Sequence, residues 1–165
     1  MRHSRATYVV ILIGALLWCS GIIGAPLFSS GGNSSAIEGK LLYQLYRPIC
    51  HQLPERSFFL EGFRLGVCER CSAIYFAFLC GTILYPLVRP LRDMHLPPRW
   101  LLIVAVIPML IDATWFGPLL YNVTAGTRVL TGGFFGLVLP FFVLPIAIEA
   151  TTAYAHQQKG FSDAQ

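Results

Sequence analysis

The stretch YVVILIGALLWCSGIIGAPLF, Tyr8 to Phe28, runs for 21 residues without a charge. A helix needs roughly 20 mostly apolar residues to cross the hydrocarbon core of a bilayer, so this run is long enough. Three more uncharged runs follow it: Ser72 to Val88, Leu101 to Ile111 and Val129 to Ile148. The pattern predicts an all-α integral membrane bundle of four transmembrane helices. The spans fall at about 8–28, 70–88, 100–116 and 129–150. One membrane domain then covers residues 1–165, and the longest connection, 29–70, is a Cys/His-containing interfacial loop.

Arg2 and Arg5 precede the first run, as in a signal peptide. The run exceeds the usual apolar region of about 7–15 residues, and no small-x-small cleavage site follows, so the helix is expected to be retained. Composition agrees with a membrane protein. The chain is 55% hydrophobic and 12% charged, against about 25% charged in soluble domains. Its net charge is +4, without a basic block. That excludes nucleic-acid binding, which needs a clustered basic stripe. The charged residues flank helices, where they meet lipid headgroups.

Arg2 and Arg5 on one side of the first span, against neutral Gly/Ser residues on the other, predict an inside N-terminus. Four spans place both termini inside and the 29–70 loop outside, in the cytoplasmic (inner) membrane of a prokaryote. Within the loop, Ile37, Leu41, Leu42 and Leu45 recur at helical spacing. They predict a short amphipathic helix over 36–46, lying on the membrane or packed on the bundle. Pro48 and Pro54 break it, and Gly62 and Gly66 permit a hairpin-like return.

Cys50-His51 and Cys68-Glu69-Arg70-Cys71 carry the chemistry of this loop. Zinc takes four N/S ligands, and a C-x2-C turn supplies two thiolates. Cys50, His51, Cys68 and Cys71 form a candidate Cys3His zinc set. With four protein ligands the site is structural, and with three it keeps a position for water or substrate. Glu55 or Glu69 is then placed to act as general base. The competing reading is a thiol–disulfide oxidoreductase, with Cys68 and Cys71 cycling and Cys50 shuttling. A third is a non-catalytic lipid-binding or scaffold subunit. A deaminase is excluded, because His51 is not followed by x-Glu and Val67, not Pro, precedes Cys68. Cys19 and Cys80 lie in apolar spans and read as small hydrophobes.

Asp112 is a carboxylate inside a predicted span, which is costly without a partner. Arg128, entering the fourth span from the same side, is the expected partner. The two are candidate catalytic residues beside Glu55. Arg47, Arg56, Arg64 and Arg70 surround the site in sequence. Arginine forks suit phosphate and carboxylate, so an anionic amphiphile or lipid headgroup is a candidate ligand. Gly132-x3-Gly136 is a small-residue pattern for close helix packing.

The runs Cys50-His51-Gln52-Leu53-Pro54-Glu55-Arg56-Ser57-Phe58-Phe59 and Val67-Cys68-Glu69-Arg70-Cys71-Ser72-Ala73-Ile74-Tyr75 resemble a known family. Its members are small bacterial and archaeal membrane proteins, grouped as domain of unknown function 2085. The shared pattern is C-H-Q-x-P-x-R-S-F-F followed by C-x-R-C-x-x-I-Y. The likeness is close from Tyr46 to Leu79 and extends weakly to Pro108-x3-Asp112 and Arg128-x2-Thr131-Gly132. The chain departs from the family at Ala113, where Gly is usual, and at Gly66, where Pro is frequent. The resemblance implies that Cys50, His51, Cys68, Arg70, Cys71, Asp112 and Arg128 belong to the recurring pattern. It brings no activity with it.

Overall fold

The computed structural model describes residues 2–31, 35–91, 93, 95–114 and 123–162. It is mostly helical. Helix α1 spans Arg2–Ser30, α2 Ser35–Tyr46, α3 Glu69–Val88, α4 Arg99–Ala113, α5 Ala125–Val138 and α6 Pro140–Ser162. Leu139 between α5 and α6 keeps right-handed helical dihedrals, so these two run on almost as one helix. Pro140 opens α6, where its missing N–H costs least.

Among the described residues, three helical stretches are long and apolar enough to cross a membrane: Ser4–Ser30, Glu69–Val88 and Ala125–Ala155. Their outward faces carry Val10, Leu17, Leu87 and Leu130, each at least two-thirds exposed. A surface this apolar suits lipid. The span expected at 100–116 is described as α4, with 15 residues. That is about 22 Å of helix, short of the roughly 30 Å hydrocarbon core. Residues 115–122, where that span was expected to end, lie outside the described residues.

Glycine sets the closest helix contact. A Cβ at Gly132 would stand 2.8 Å from the Arg70 carbonyl oxygen, and one at Gly136 would overlap the backbone of Ile74. Four residues along α5 match four along α3, so the two helices run parallel, with their N-termini together. The packing expected from Gly132-x3-Gly136 therefore forms, against α3. Helix α1 runs antiparallel to α3: the Tyr8 hydroxyl donates to the Thr82 carbonyl (3.2 Å) and Cys19 Sγ to the Tyr75 carbonyl (3.5 Å). Helix α4 is antiparallel to α5, since Asp112 lies near Thr131 while Ala105 packs with Val138 and Phe142. Thr7 and Thr151 hydrogen-bond at 2.8 Å, which places the start of α1 beside α6 at the end of the bundle opposite the α3 N-terminus.

Helix α2 folds back on the end of α1. Gly39 permits this approach: a Cβ there would stand 2.9 Å from Ser29 N and 3.0 Å from the Ala25 carbonyl oxygen. Leu42 and Tyr46 pack inward, while Ile37, Leu41 and Leu45 point out. The helix thus packs on the bundle and presents most of its predicted apolar stripe outward. After it come a 3-10 turn at Pro54–Arg56 and a hairpin, β1 (Phe59–Leu60) with β2 (Phe63–Arg64). The register is Phe59 opposite Arg64 and Leu60 opposite Phe63. Glu61 and Gly62 both have positive φ, 53° and 79°, as a two-residue turn of the type favoured in hairpins requires.

Candidate metal centre

The site forms where this loop meets the first turn of α3. Cys50 follows α2 after a three-residue turn, and its N–H donates to the Tyr46 carbonyl at 3.1 Å. Cys68 is the N-cap of α3, in extended conformation, and Cys71 lies in the first turn. The Sγ atoms of Cys50, Cys68 and Cys71 lie within 4.8 Å of one another. The same three sulfurs border a core of Ile22, Tyr46 and Val67 that anchors the loop to α1.

Cys50 Sγ accepts two backbone hydrogen bonds, from Cys68 N–H (3.1 Å) and Gln52 N–H (3.5 Å). Such bonds favour a thiolate. Hydrogen bonding from the Cys68 and Cys71 thiols, followed by these backbone bonds, holds the Cys50 thiol well below its usual range despite burial. The N-terminus of α3 adds a partial positive charge beside Cys68 and Cys71.

The turn is held by residues whose role the sequence did not announce. Gln52 is buried, and its Nε2 donates to the carbonyls of Tyr43 and Gly66, both at 2.8 Å. One amide thus ties α2 to the segment leading into Cys68. Gln52 has φ of 51°, which turns the chain so that its own N–H faces Cys50 Sγ. Arg64 Nη1 donates to the Gln52 carbonyl at 2.7 Å and its guanidinium lies over the Tyr43 ring. The Tyr43 hydroxyl in turn donates to the Arg64 carbonyl. The polar Cys50-His51-Gln52 step was the available signal. The positive φ that makes it work has no composition mark, because Gln is not a residue that favours it.

His51 is exposed and stands outside the three-sulfur group. Neighbouring side chains on an extended segment point apart, and Cys50 takes the inward position. Glu55 is exposed on the 3-10 turn.

Asp112 is buried and accepts from Arg70 Nη2 through its Oδ2; its backbone carbonyl accepts from the same nitrogen at 2.9 Å. Thr131 Oγ1 lies 3.5 Å from the same Oδ2. Arg128 Nη1 donates to Glu69 Oε2 at 3.0 Å. The expected pair, Asp112 with Arg128, is thereby replaced by two pairs in which each partner of α3 is taken by a different helix. The reason is the parallel packing of α3 and α5. It sets first turn against first turn, so Glu69 meets Arg128, while the end of α4 reaches Arg70.

A cavity of about 400 Å³ opens in front of the sulfurs. Cys50, Cys68 and Cys71 form its floor, and His51, Arg56, Arg70 and Arg128 contribute to its walls. A second, apolar cavity of about 360 Å³ lies between α1 and α3, lined by Trp18, Cys19, Tyr75 and Phe78 among others. Cys19 is buried there, and Cys80 is exposed on α3.

Three buried or half-buried cysteine sulfurs beside cationic walls form a cluster able to hold a metal ion. A model of the family described as "Predicted membrane protein (DUF2085)" matches residues 50–142. An uncharacterised protein of Methanocaldococcus jannaschii is 39% identical over 145 residues, which are 86% of this chain and 93% of that one. No solved structure matches. The match spans the whole site from Cys50 to Arg128, and the chain belongs to this family of predicted membrane proteins.

Proposed function

We propose that this is a zinc-binding integral membrane protein in which Cys50, Cys68 and Cys71 hold the metal at one membrane surface. The observation that carries the reading is the convergence of three sulfurs from two separate segments within 4.8 Å. Two backbone N–H groups aimed at Cys50 Sγ support it. Thiolate ligands select zinc and other soft metals over magnesium or calcium. The metal staples the 29–70 loop to α3. Three protein ligands would leave a fourth position for water or substrate, and the three cysteines line the same cavity as Arg56, Arg70 and Arg128. A bound zinc would supply Lewis acidity there, lowering the pKa of a water so that it could attack an amphiphilic substrate. Arg128 touches that cavity, and Asp112 acts through Arg70 by fixing its fork. Glu55 is exposed on the 3-10 turn, does not line that cavity and is assigned no part in the step.

The fold proposed around this centre has four spans, α4 and the residues after it being the third, with both termini inside and the site loop outside. Residues 1–165 form one membrane domain, placed in the inner membrane of a prokaryote. The Thr7–Thr151 bond supports the shared side of the two terminal helices.

Elemental analysis of the purified full chain, with thiol counting, tests the reading. About one zinc per chain and freely titrating thiols after chelation support it. Absence of metal, with a reducible Cys68–Cys71 bond, contradicts it and favours thiol–disulfide exchange.

A further inference from the structure

We propose that the cavity before the three sulfurs is a binding site for a phosphate-type oxyanion, with one oxygen on the open metal position and the others held by Arg56, Arg70 and Arg128. This rests on the metal reading above and names the ligand class of that site.

The walls carry the argument. A site built only for a cation has no use for three guanidinium groups, yet Arg56, Arg70 and Arg128 all line this cavity, from three different elements. The two nearby carboxylates do not line it. Asp112 takes Nη2 of Arg70, and Glu69 takes Nη1 of Arg128. Each carboxylate fixes one arm of a fork and leaves the rest of the guanidinium to other acceptors. The Arg70 side chain is 20% exposed and that of Arg128 16%, so both are partly desolvated. Their hydrogen bonds to an anion are correspondingly stronger. The buried Arg70 Nε has no acceptor in this structure. Arg56 is exposed at the cavity edge and has no side-chain partner among the described residues.

Backbone electrostatics point the same way. The parallel pair α3 and α5 brings two helix N-termini to this end of the bundle, with Glu69 and Arg128 bridging them. Both helix dipoles favour negative charge there. Cations approaching from three elements, with a metal as the fourth contact, suit a tetrahedral anion. Arginine forks match phosphate oxygens in pairs. A volume of about 400 Å³ accommodates more than an inorganic ion, so the phosphate can belong to a lipid headgroup or be free.

The test uses the full chain in detergent, loaded with Co²⁺ as a spectroscopic substitute. Inorganic phosphate and dodecyl phosphate are titrated separately, reading the Co²⁺ d–d bands and the broadening of the phosphorus-31 line. The expected result is a shift of the bands with a broadened line. Arg56→Gln weakens that binding by about tenfold while its anion-free spectrum matches the native one. A response to inorganic phosphate identifies a free oxyanion; a response to dodecyl phosphate alone identifies a headgroup. Thiolate-to-cobalt bands that neither phosphate moves, with a sharp phosphorus line, overturn the oxyanion site and leave the metal site standing. Native affinity in Arg56→Gln also overturns it. No thiolate-to-cobalt bands overturn both.

Discussion

Arg70 donates through one nitrogen to both the side chain and the backbone carbonyl of Asp112. A residue inside the C-x2-C turn is thus locked to the last turn of α4. Through this pair the thiol loop and α4 share one contact, buried on the Asp112 side. Removing one partner strands a buried charge, which costs about 3–5 kcal/mol, whereas replacing both by apolar groups is often near neutral. Asp112→Ala should therefore lower stability by about 3 kcal/mol. The double variant Arg70→Met/Asp112→Leu should lose clearly less. Unfolding in detergent measures both, and equal losses would show that the charge pair is not what the single variant disturbs.

Gly136 is predicted to be far less tolerant than its neighbour Gly133. An alanine Cβ at 136 would overlap the Ile74 backbone, but at 133 nothing lies within 4 Å. Gly136→Ala forces α3 and α5 apart, at a cost of about 1–3 kcal/mol. Gly133→Ala should be neutral or stabilising by up to about 1 kcal/mol, because the added Cβ meets open space and alanine favours the helix. Thermal melting of the two variants side by side checks this, and similar behaviour would refute the close parallel packing.

Much of this architecture was legible because it depends on periodicity and composition. Uncharged runs revealed the long helices, and Gly132-x3-Gly136 the close contact. Cys68-x2-Cys71 stood out because two thiols at that spacing share one helix turn. Three features were not legible. The partner of Asp112 depends on which helices lie side by side, and no spacing within the chain encodes that choice. Which of Cys50 and His51 turns inward is not set by residue type, and neither is the positive φ at Gln52 that aims its N–H at Cys50 Sγ. The stripe Ile37, Leu41 and Leu45 correctly marked a helix but not its buried face, because in a membrane protein apolar residues also point outward.

Gln52 should control the proposed metal site from outside its three cysteines. Its amide donates to two buried-side carbonyls, and each lost donor costs about 1–3 kcal/mol when its acceptor stays buried. Gln52→Ala should weaken zinc binding by about 10-fold or more, the size usual for outer supports of a ligand. Competition with a chromophoric chelator measures this. Unchanged affinity would mean that the Cys50 turn holds its shape unaided.

The proposed topology predicts opposite labelling at two exposed positions. Glu61 sits at the hairpin tip and Gln157 near the end of α6. In intact cells, Glu61→Cys should react with a membrane-impermeant maleimide and Gln157→Cys only after lysis. Reaction of both in intact cells, or of Gln157→Cys alone, would reverse or break the four-span assignment.

The most direct measurement of the central claim is zinc-edge X-ray absorption on the purified full chain. The account predicts bound zinc with three sulfurs at about 2.3 Å and one lighter O or N ligand at about 2.0–2.1 Å. Loss of one sulfur from that shell is predicted for each of Cys50→Ser, Cys68→Ser and Cys71→Ser. Absence of stoichiometric zinc, or a zinc shell without sulfur, would contradict it.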